Sequence, residues 1–204
     1  GAVGDGVTDN LAAFRNAVAA IDAVGGGTLY IPAGDYGFNI MFTGAFTTNT
    51  SVWLCANLTI VMDAGVTCRV LGTWSAGKKY MLFGANTSGL YPSAQNIRIY
   101  GNGARIIGVP TTSSVDPDLT HGLWFNDVIN DVQVHDLIVE DCGSCASFDL
   151  SNSLVSGCTF ARGENVCVAV TEGNNITFTN CRFTGCIAGG TPGGTAAPDA
   201  GALR

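Results

Sequence analysis

Three short segments repeat one pattern in the second half of the chain: residues 132–139 (VQVHDLIV), 153–160 (SLVSGCTF) and 176–183 (ITFTNCRF). Their last residues, Val139, Phe160 and Phe183, follow one another after 21 and then 23 residues. Apolar and polar side chains alternate within each segment, and this period of two indicates a β-strand with one buried face. The pattern therefore predicts short strands that recur at a nearly constant interval.

A turn residue interrupts the alternation at the same place in each segment, namely Asp136, Gly157 and Asn180. A repeat of this length, built only of strands and turns, is typical of a β-solenoid. One coil cannot bury its own inner face, and it needs neighbouring coils about 4.8 Å away to pair its backbone. We therefore predict an all-β fold, a right-handed parallel β-helix that forms a single domain.

The composition agrees with a solenoid and argues against nucleic-acid binding and against a membrane-spanning segment. The 204 residues are 47% hydrophobic and only 12% charged, they include 28 glycines, and the formal net charge is −7. This balance argues against a nucleic-acid partner, because phosphate binding requires clustered Lys and Arg. No run of about 18 apolar residues occurs, so we expect no membrane-spanning segment.

The N-terminal region predicts a capping helix over residues 8–24. Thr8 or Asp9 is a suitable N-cap, and glycines 25–27 end the helix. One apolar stripe runs along it, at Leu11, Phe14, Val18 and Ile21. Because a solenoid has an open hydrophobic end, we expect this stripe to cover the N-terminal end of the β-helix.

The predicted coils occupy residues 28–187. From Leu58 to Ile97 and from Ile97 to Val132 the steps are 39 and 35 residues, so we expect inserted loops at residues 74–92 and 109–122 that line a groove. Residues 188–204 have the composition of a loop or linker. Without a C-terminal cap in sight, we expect the chain to be the first part of a longer protein.

Eight cysteines leave two interpretations open. Cys158 and Cys181 occupy matching positions of successive repeats, and Cys145 and Cys167 lie 22 residues apart. Stacked, buried thiols in a solenoid core are the favoured interpretation, and disulfide bonds in an oxidising compartment are the alternative. Four glycosylation sequons also occur, but solenoid turns favour Asn and Thr in any case; they begin at Asn49, Asn57, Asn86 and Asn175.

The first 36 residues carry a family resemblance. Residues 1–10 (GAVGDGVTDN), the short amphipathic helix and residues 25–36 (GGGTLYIPAGDY) resemble the N-terminal signature of the pectate lyase superfamily of β-helix proteins. That superfamily includes polygalacturonase-like hydrolases, alginate-epimerase-like enzymes and bacteriophage tailspikes. The resemblance implies a polysaccharide partner and an extracellular location, either secreted or on a virion surface. A tailspike-like protein would also be a homotrimer.

The catalytic pattern of the polygalacturonase-like hydrolases is not reproduced. In residues 146–150 (ASFDL) the position of the first catalytic aspartate falls on Ala146, with Asp149 as a neighbour. In residues 163–170 (GENVCVAV), Glu164 and Asn165 stand for the next two aspartates. Residues 185–189 (GCIAG) lack the expected His, and the Tyr-Gly-Phe-Asp-Pro-His motif of alginate epimerases is absent as well.

Three carboxylates remain as candidate catalytic groups, because glycoside hydrolysis needs an acid and a base on either side of one bond. Glu164 is a candidate general acid, with a solvated turn residue as the alternative, and Asp149 has the same two interpretations. Asp141 is the third candidate. It aligns with Arg162 of the next repeat, so its simplest interpretation is a salt bridge between coils.

An outward ridge supplies the candidate substrate-binding residues. His135 aligns with Tyr100 of the preceding coil, and Gln133 and Arg98 lie two positions earlier on the same strands. Aromatic and planar polar side chains on a flat sheet suit sugar rings, whose CH groups pack on aromatic faces. An ordinary solvent-exposed face is the alternative.

No metal site or cofactor is predicted, although a lyase would use Ca²⁺. Asp116, Asp118 and His121 are close in sequence, but such a group more often forms a polar loop. Lys78 and Lys79 are the only lysines, and no carboxylate cluster accompanies them.

The leading functional hypothesis is a carbohydrate-active β-helix protein that acts on a polysaccharide. It would be a glycoside hydrolase or a polysaccharide lyase, including a tailspike-type depolymerase. The alternative is a non-catalytic glycan-binding or structural β-helix, such as an adhesin or a phage fibre segment. A third hypothesis places catalysis in coils beyond Arg204.

Overall fold

The computed structural model describes residues 1–43, 50–75, 77–86, 90–109 and 120–186. These residues form a parallel β-helix, so the predicted all-β solenoid is confirmed. One helix, α1 (Leu11–Asp22), precedes most of the strands. The strands are β1 (Asp5–Asp9), β2 (Gly27–Ile31), β3 (Gly34–Phe38), β4 (Val52–Trp53), β5 (Leu58–Met62), β6 (Val66–Val70), β7 (Tyr80–Asn86), β8 (Gln95–Tyr100), β9 (Arg105–Ile107), β10 (Thr120–His135), β11 (Ile138–Glu140), β12 (Ser144–Ser156), β13 (Thr159–Ala161), β14 (Val166–Thr179) and β15 (Arg182–Thr184).

The strands stack on three faces. The first face contains β4, β7 and the first halves of β10, β12 and β14. The second face contains β2, β5, β8 and the second halves of β10, β12 and β14. The third face contains β1, β3, β6, β9, β11, β13 and β15. In the last three coils one long, bent strand serves both the first and the second face.

The register confirms the repeat read from the sequence. Val139 pairs with Phe160, and Phe160 pairs with Phe183. Ile97 pairs with Val132 in the same way on the second face. The inward side chains at these positions belong to one continuous apolar core, against which the partly buried Phe183 packs.

Residues with left-handed backbones form the corner between the first and second faces. Asn96, Asn152 and Asn175 have φ values of 52°, 49° and 53° there, a conformation that Asn tolerates better than most residues. Their side chains bond along the helix axis: the amide of Asn152 donates to Asn130 (2.9 Å), and that of Asn175 donates to Asn152 (3.0 Å). The sequon residues Asn57 and Asn175 therefore belong to a structural ladder; Asn49 lies outside the described residues.

The predicted turn residues occupy the corner between the second and third faces. Asp136, Gly157 and Asn180 have positive φ values of 50°, 65° and 53°. The alternation of apolar residues breaks at these positions because the backbone turns there.

The two predicted insertions are partly wrong. Residues 80–86 form β7, and β10 already begins at Thr120. The side chains of Tyr80, Met81, Leu82 and Phe83 are all buried, so this strand shows no alternation and does not resemble the half-buried strands around it. Most of the second insertion, residues 110–119, lies outside the described residues, as does the tail at 188–204.

The capping role of α1 is confirmed. The helix covers residues 11–22 of the predicted 8–24, and Asn10 precedes it, because Thr8 and Asp9 belong to β1. Phe14 and Val18 are buried, and the Phe14 ring packs edge-on against Phe38 at 4.9 Å. No helix in the described part of the chain is long and apolar enough to cross a membrane.

Both interpretations of the cysteines apply. Cys167 and Cys186 form a disulfide, whereas the other six cysteines are free thiols, five of them buried. Burial raises the pKa of Cys55 to about 11 and that of Cys158 to about 12. Such thiols stay protonated at neutral pH and are poor nucleophiles, as expected for thiols that fill a core.

The asparagine ladder makes a testable contribution to stability. In Asn152→Ala the left-handed backbone meets a Cβ penalty and two side-chain hydrogen bonds are lost, so we expect the free energy of unfolding to fall by about 2 kcal/mol. Asn152→Gly loses the same hydrogen bonds but tolerates positive φ, so we expect a loss under about 1 kcal/mol. Urea unfolding followed by circular dichroism measures both. Equal losses in the two variants would contradict the role assigned to the backbone conformation.

Candidate functional site

A groove of about 370 Å³ opens on the outer side of the first face. Its shape follows from side-chain size along one row of paired residues. Trp124 of β10 pairs with Ser147 of β12, and Ser147 pairs with Ala169 of β14, so a large side chain is followed by two small ones. The lining residues are His121, Ser144, Ser147, Asn165, Val166, Ala169, Val170 and Thr171.

His121 lies at one wall of this groove, in β10 and not in the inserted loop where the sequence placed it. Its side chain is buried, and its ring lies 6.4 Å from that of Trp124 with an angle of 23° between the planes. His121, which the sequence analysis assigned to a polar loop, is thus a candidate functional residue of the groove. Asp116 and Asp118, which the sequence analysis grouped with His121, lie outside the described residues.

Asp149 lies beside the groove at an irregularity of the sheet. Phe148 pairs with Val170 and Leu150 with Gly173, so Asp149 faces two residues of β14, Thr171 and Glu172. Its carboxylate accepts hydrogen bonds from the Thr171 hydroxyl and from the backbone N–H of Glu172 (3.2 Å). Asp149 therefore binds both residues of a β-bulge, and such bulges often occur beside active sites.

Glu164 lies at the corner that leads into β14. Its backbone N–H donates to the carbonyl of Cys142 (3.0 Å), and the N–H of Asn165 donates to that of Gly143 (2.7 Å). Asn165 lines the groove, and Glu164, which precedes it in the sequence, is partly exposed. Two of the three predicted carboxylates are thus linked to lining residues of one groove, Asp149 by its hydrogen bond to Thr171 and Glu164 by the peptide bond to Asn165.

Asp141 makes the ion pair predicted from the sequence. Arg162 donates from Nε and from a terminal nitrogen to the two Asp141 oxygens, at 2.6 and 2.7 Å. The sequence did not reveal Glu140, whose side chain is only 5% exposed and binds both Arg105 and Arg162. The hydrogen bonds that Arg162 donates to Asp141, and then those to Glu140, raise the pKa of Arg162. This network ties three coils together just before β12 begins.

The predicted ridge lies on the second face, apart from the groove. Gln133 pairs with Arg98 and His135 with Tyr100, as expected. The rings of Tyr100 and His135 are stacked at 5.1 Å with 8° between their planes. His135 is held by Ser156 Oγ at Nδ1 (2.7 Å) and by Gln133 Oε1 at Nε2 (3.3 Å).

Arg98 at the edge of this ridge is engaged in an ion pair. Its guanidinium donates to both carboxylate oxygens of Asp131 at 2.9 Å and to the Asp131 carbonyl at 2.7 Å. The predicted site residues therefore fall into two sets, one at the groove and one on the ridge. Among the residues that the structure describes, no three Asp, Glu, His or Cys side chains come close enough to hold a metal ion.

Comparison with known proteins agrees with this architecture. The family model for the right handed beta helix region matches residues 84–192, which is more than half of the chain. The chain belongs to the right-handed β-helix family. The predicted hand of the helix is thereby confirmed, as is the fold implied by the pectate lyase-like N-terminal signature.

The similar curated proteins are much longer than this chain. Mannuronan C5-epimerase AlgE1 of Azotobacter vinelandii is 58% identical over 36 residues, which are 18% of this chain and 3% of the epimerase. Mannuronan C5-epimerase AlgE3 of the same organism is 32% identical over 129 residues, 59% of this chain and 7% of the epimerase.

Solved structures share the fold at low sequence identity. A glycosyl hydrolase candidate from Parabacteroides merdae is 20% identical, with a TM-score of 0.56, and the match covers 96% of this chain and 94% of that one. The tailspike protein of Escherichia coli bacteriophage HK620, in complex with a pentasaccharide, is 17% identical, with a TM-score of 0.68. That match covers 88% of this chain and 32% of the tailspike.

Glu140 and Asp141 should contribute unequally to the stability of the ion-pair network. Glu140→Gln removes the charge that binds two arginines from a buried position, and we expect it to lower the free energy of unfolding by about 2 kcal/mol. Asp141→Asn changes a more exposed pair and should cost less than about 1 kcal/mol. Urea unfolding of the two variants tests this order. A larger loss for Asp141→Asn would contradict Glu140 as the centre of the network.

Proposed function

We propose that this chain is the β-helix of a carbohydrate-active protein that acts on a polysaccharide in the groove of the first face. The observation that carries the proposal is a groove with the His121 ring in its lining, whose other lining residues include Thr171, hydrogen-bonded to Asp149, and Asn165, which follows Glu164 in the sequence. Protein sites for sugars combine aromatic surface with a few placed polar groups. Ser144, Ser147 and Asn165 are such groups here.

The relatives support the substrate class. The epimerases are named for mannuronan, and the tailspike was solved with a bound pentasaccharide. Because the chain spans only 3% to 7% of the two epimerases, their activity is carried over only as a proposal. We also propose an extracellular location, secreted or on a virion surface, and a homotrimer if the protein is tailspike-like.

Each carboxylate is given a role by its surroundings. Glu164 is partly exposed next to the lining residue Asn165 and is proposed as the general acid. Asp149 is fixed by two donors and is proposed as the base or nucleophile. Glycosidases need such carboxyl groups about 6.5–9.5 Å apart for inversion and about 5–5.5 Å apart for retention. A lyase mechanism would instead use Ca²⁺ to neutralise an acidic sugar.

Non-catalytic glycan binding is the second candidate function, and the ridge favours it. The His135 ring is held at both nitrogens and stacked on Tyr100, so this surface requires no rearrangement before it meets a ligand. A preorganised surface loses little side-chain entropy on binding. The missing His in residues 185–189 also favours this function; Gly185 and Cys186 are described, and residues 187–189 are not.

A polysaccharide panel tests the proposed activity. Mannuronan, polygalacturonate, a bacterial O-antigen and a neutral glucan are incubated with the chain, with Ca²⁺ or with a chelator. New reducing ends without ultraviolet absorbance indicate hydrolysis, whereas absorbance of an unsaturated product that the chelator abolishes indicates a Ca²⁺-dependent lyase. We expect Asp149→Asn and Glu164→Gln each to lower the rate at least a hundredfold, the usual contribution of general acid–base groups.

The control for these variants is Asp136→Asn, the same change at an exposed corner. Asn still tolerates its positive φ, so the fold and the rate should be retained. Activity that survives both Asp149→Asn and Glu164→Gln would remove these two residues from the catalytic site. Retention of a polysaccharide without any product would favour the binding function.

The ridge has its own test. Tyr100→Ala removes one of two stacked rings, and we expect retention of the panel polysaccharide in affinity electrophoresis to weaken about tenfold if the ridge binds the glycan. Tyr100→Phe keeps the ring and serves as the matched control, with little change expected. Equal retention by all three proteins would show that the ridge is an ordinary solvent-exposed face.

A further inference from the structure

A second cavity lies against the capping helix, at the other end of the described coils. It has a volume of about 190 Å³ and lies between one side of α1 and the segment around Tyr91. Its lining combines aromatic rings with nitrogen donors and small side chains. The lining residues are Ala12, Arg15, Asn16, Ala19, Trp53, Leu90 and Tyr91.

The helix sequence explains why a cavity exists there. Ala12, Arg15, Asn16 and Ala19 are spaced three, one and three residues apart and share one side of α1. The buried stripe that contains Phe14 and Val18 points into the solenoid instead. The small side chains of the two alanines leave space on this side of the helix. Arg15 and Asn16 line that space with side-chain N–H donors.

Register places this cavity and the groove on the same row of the first face. Trp53 of β4 pairs with Gly84 of β7, and Gly84 pairs with Trp124 of β10. The row continues from Trp124 to Ser147 and Ala169, which line or adjoin the groove. The four steps from Trp53 to Ala169 span about 19 Å along the helix axis.

Gly84 allows aromatic contact along this row. Trp53 and Trp124 lie two coils apart, yet their rings meet edge to face at 6.1 Å. A Cβ at Gly84 would lie 2.4 Å from the sulfur of Met81, so a larger residue would displace the Met81 side chain that packs against this position. Trp124 in turn contacts His121, a wall of the groove. A row of aromatic contacts thus joins the two cavities.

We propose that the Arg15–Asn16–Trp53–Tyr91 cavity is a distal subsite for a sugar residue of the polysaccharide whose chain lies in the groove, an inference that rests on the proposed function. Tyr91 supplies an aromatic surface for the sugar ring, and Trp53, which is nearly buried, supplies the wall beneath it. Arg15 and Asn16 donate hydrogen bonds to hydroxyl or carboxylate oxygens of that residue. The glycan then runs along the helix axis and spans several coils.

The prediction concerns ligand length. Oligosaccharides of mannuronan, polygalacturonate and a neutral β-glucan, from disaccharide to octasaccharide, are titrated by calorimetry into the chain that carries Asp149→Asn, so that turnover does not interfere. For long oligosaccharides that span both cavities, Arg15→Ala and Tyr91→Ala should each raise Kd about tenfold. For disaccharides, which fill the groove alone, we expect no change.

Arg182→Ala is the matched control, because it removes the same charge from an exposed position on the third face. Its long-oligosaccharide affinity should stay within twofold of the parent, which excludes a general charge effect on an acidic glycan. Asn16→Ala, an exposed helix position, repeats the test where folding is not at risk.

The outcomes separate this inference from the proposed function. Long and short oligosaccharides that bind the Arg15, Asn16 and Tyr91 variants as well as the parent would overturn the subsite and leave the groove intact. Equal weakening at every length would overturn it too, because a distal subsite cannot affect a disaccharide in the groove. Absence of binding by the parent for every oligosaccharide would overturn the proposed function and the subsite together.

Discussion

Parallel backbone pairing between coils is the constraint on which the rest of this structure depends. Because each coil bonds to the coils on either side of it, a residue that faces outward is stacked on its counterpart about 4.8 Å away. A change in side-chain size along such a stack becomes a ridge or a depression. The Tyr100–His135 stack is the ridge of this chain, and the step from Trp124 to Ser147 and Ala169 is its groove. Surface shape here follows from register.

The corners impose the second condition, because the chain must turn from one face to the next without breaking the stack. Residues with a left-handed backbone recur at the corners, and most of them are Asn, Asp or Gly, as with Asn152, Asp136 and Gly157. Asp131 stands where neighbouring coils carry Asn96 and Asn152, and its carboxylate binds Arg98 instead of extending the ladder. The same turn position can therefore carry an Asn that extends the ladder or an Asp that pairs with an arginine. The two side chains differ only in whether the second terminal atom is nitrogen or oxygen.

The sequence predicted the repeat, the cap and one ion pair because each depends on local pattern. Alternation around Val139 and Phe160 is visible wherever one face of a strand is buried and the other is polar. It fails for β7, where the consecutive side chains of Met81, Leu82 and Phe83 are all buried. Alignment of the repeats also found Asp141 with Arg162, since these residues are equivalent on adjacent coils. It could not find Arg105 with Glu140, whose strand positions are offset by two residues.

The repeat period alone was not enough to predict the groove. The sequence placed Glu164 and Asp149 as candidates by comparison with a hydrolase pattern, and that comparison gave no reason to join them with His121. Alignment of the first face at Trp124, Ser147 and Ala169, with steps of 23 and 22 residues, is the signal that would have revealed the depression. The bulge at Asp149 is invisible to such an alignment, because one extra residue in β14 changes the register after Val170.

That bulge bears directly on what Asp149 does. In the folded chain its Oδ1 accepts hydrogen bonds from a hydroxyl and from a backbone N–H within the irregular register, which is reason enough for an acceptor at this position. An asparagine oxygen would accept the same two bonds, so structure alone does not require a charge. Catalysis does require it, because an amide cannot take up a proton from water or attack a sugar. The charge at Asp149, beside a groove that Glu164 adjoins, is thus the feature that packing leaves unexplained and that chemistry on a polysaccharide would explain.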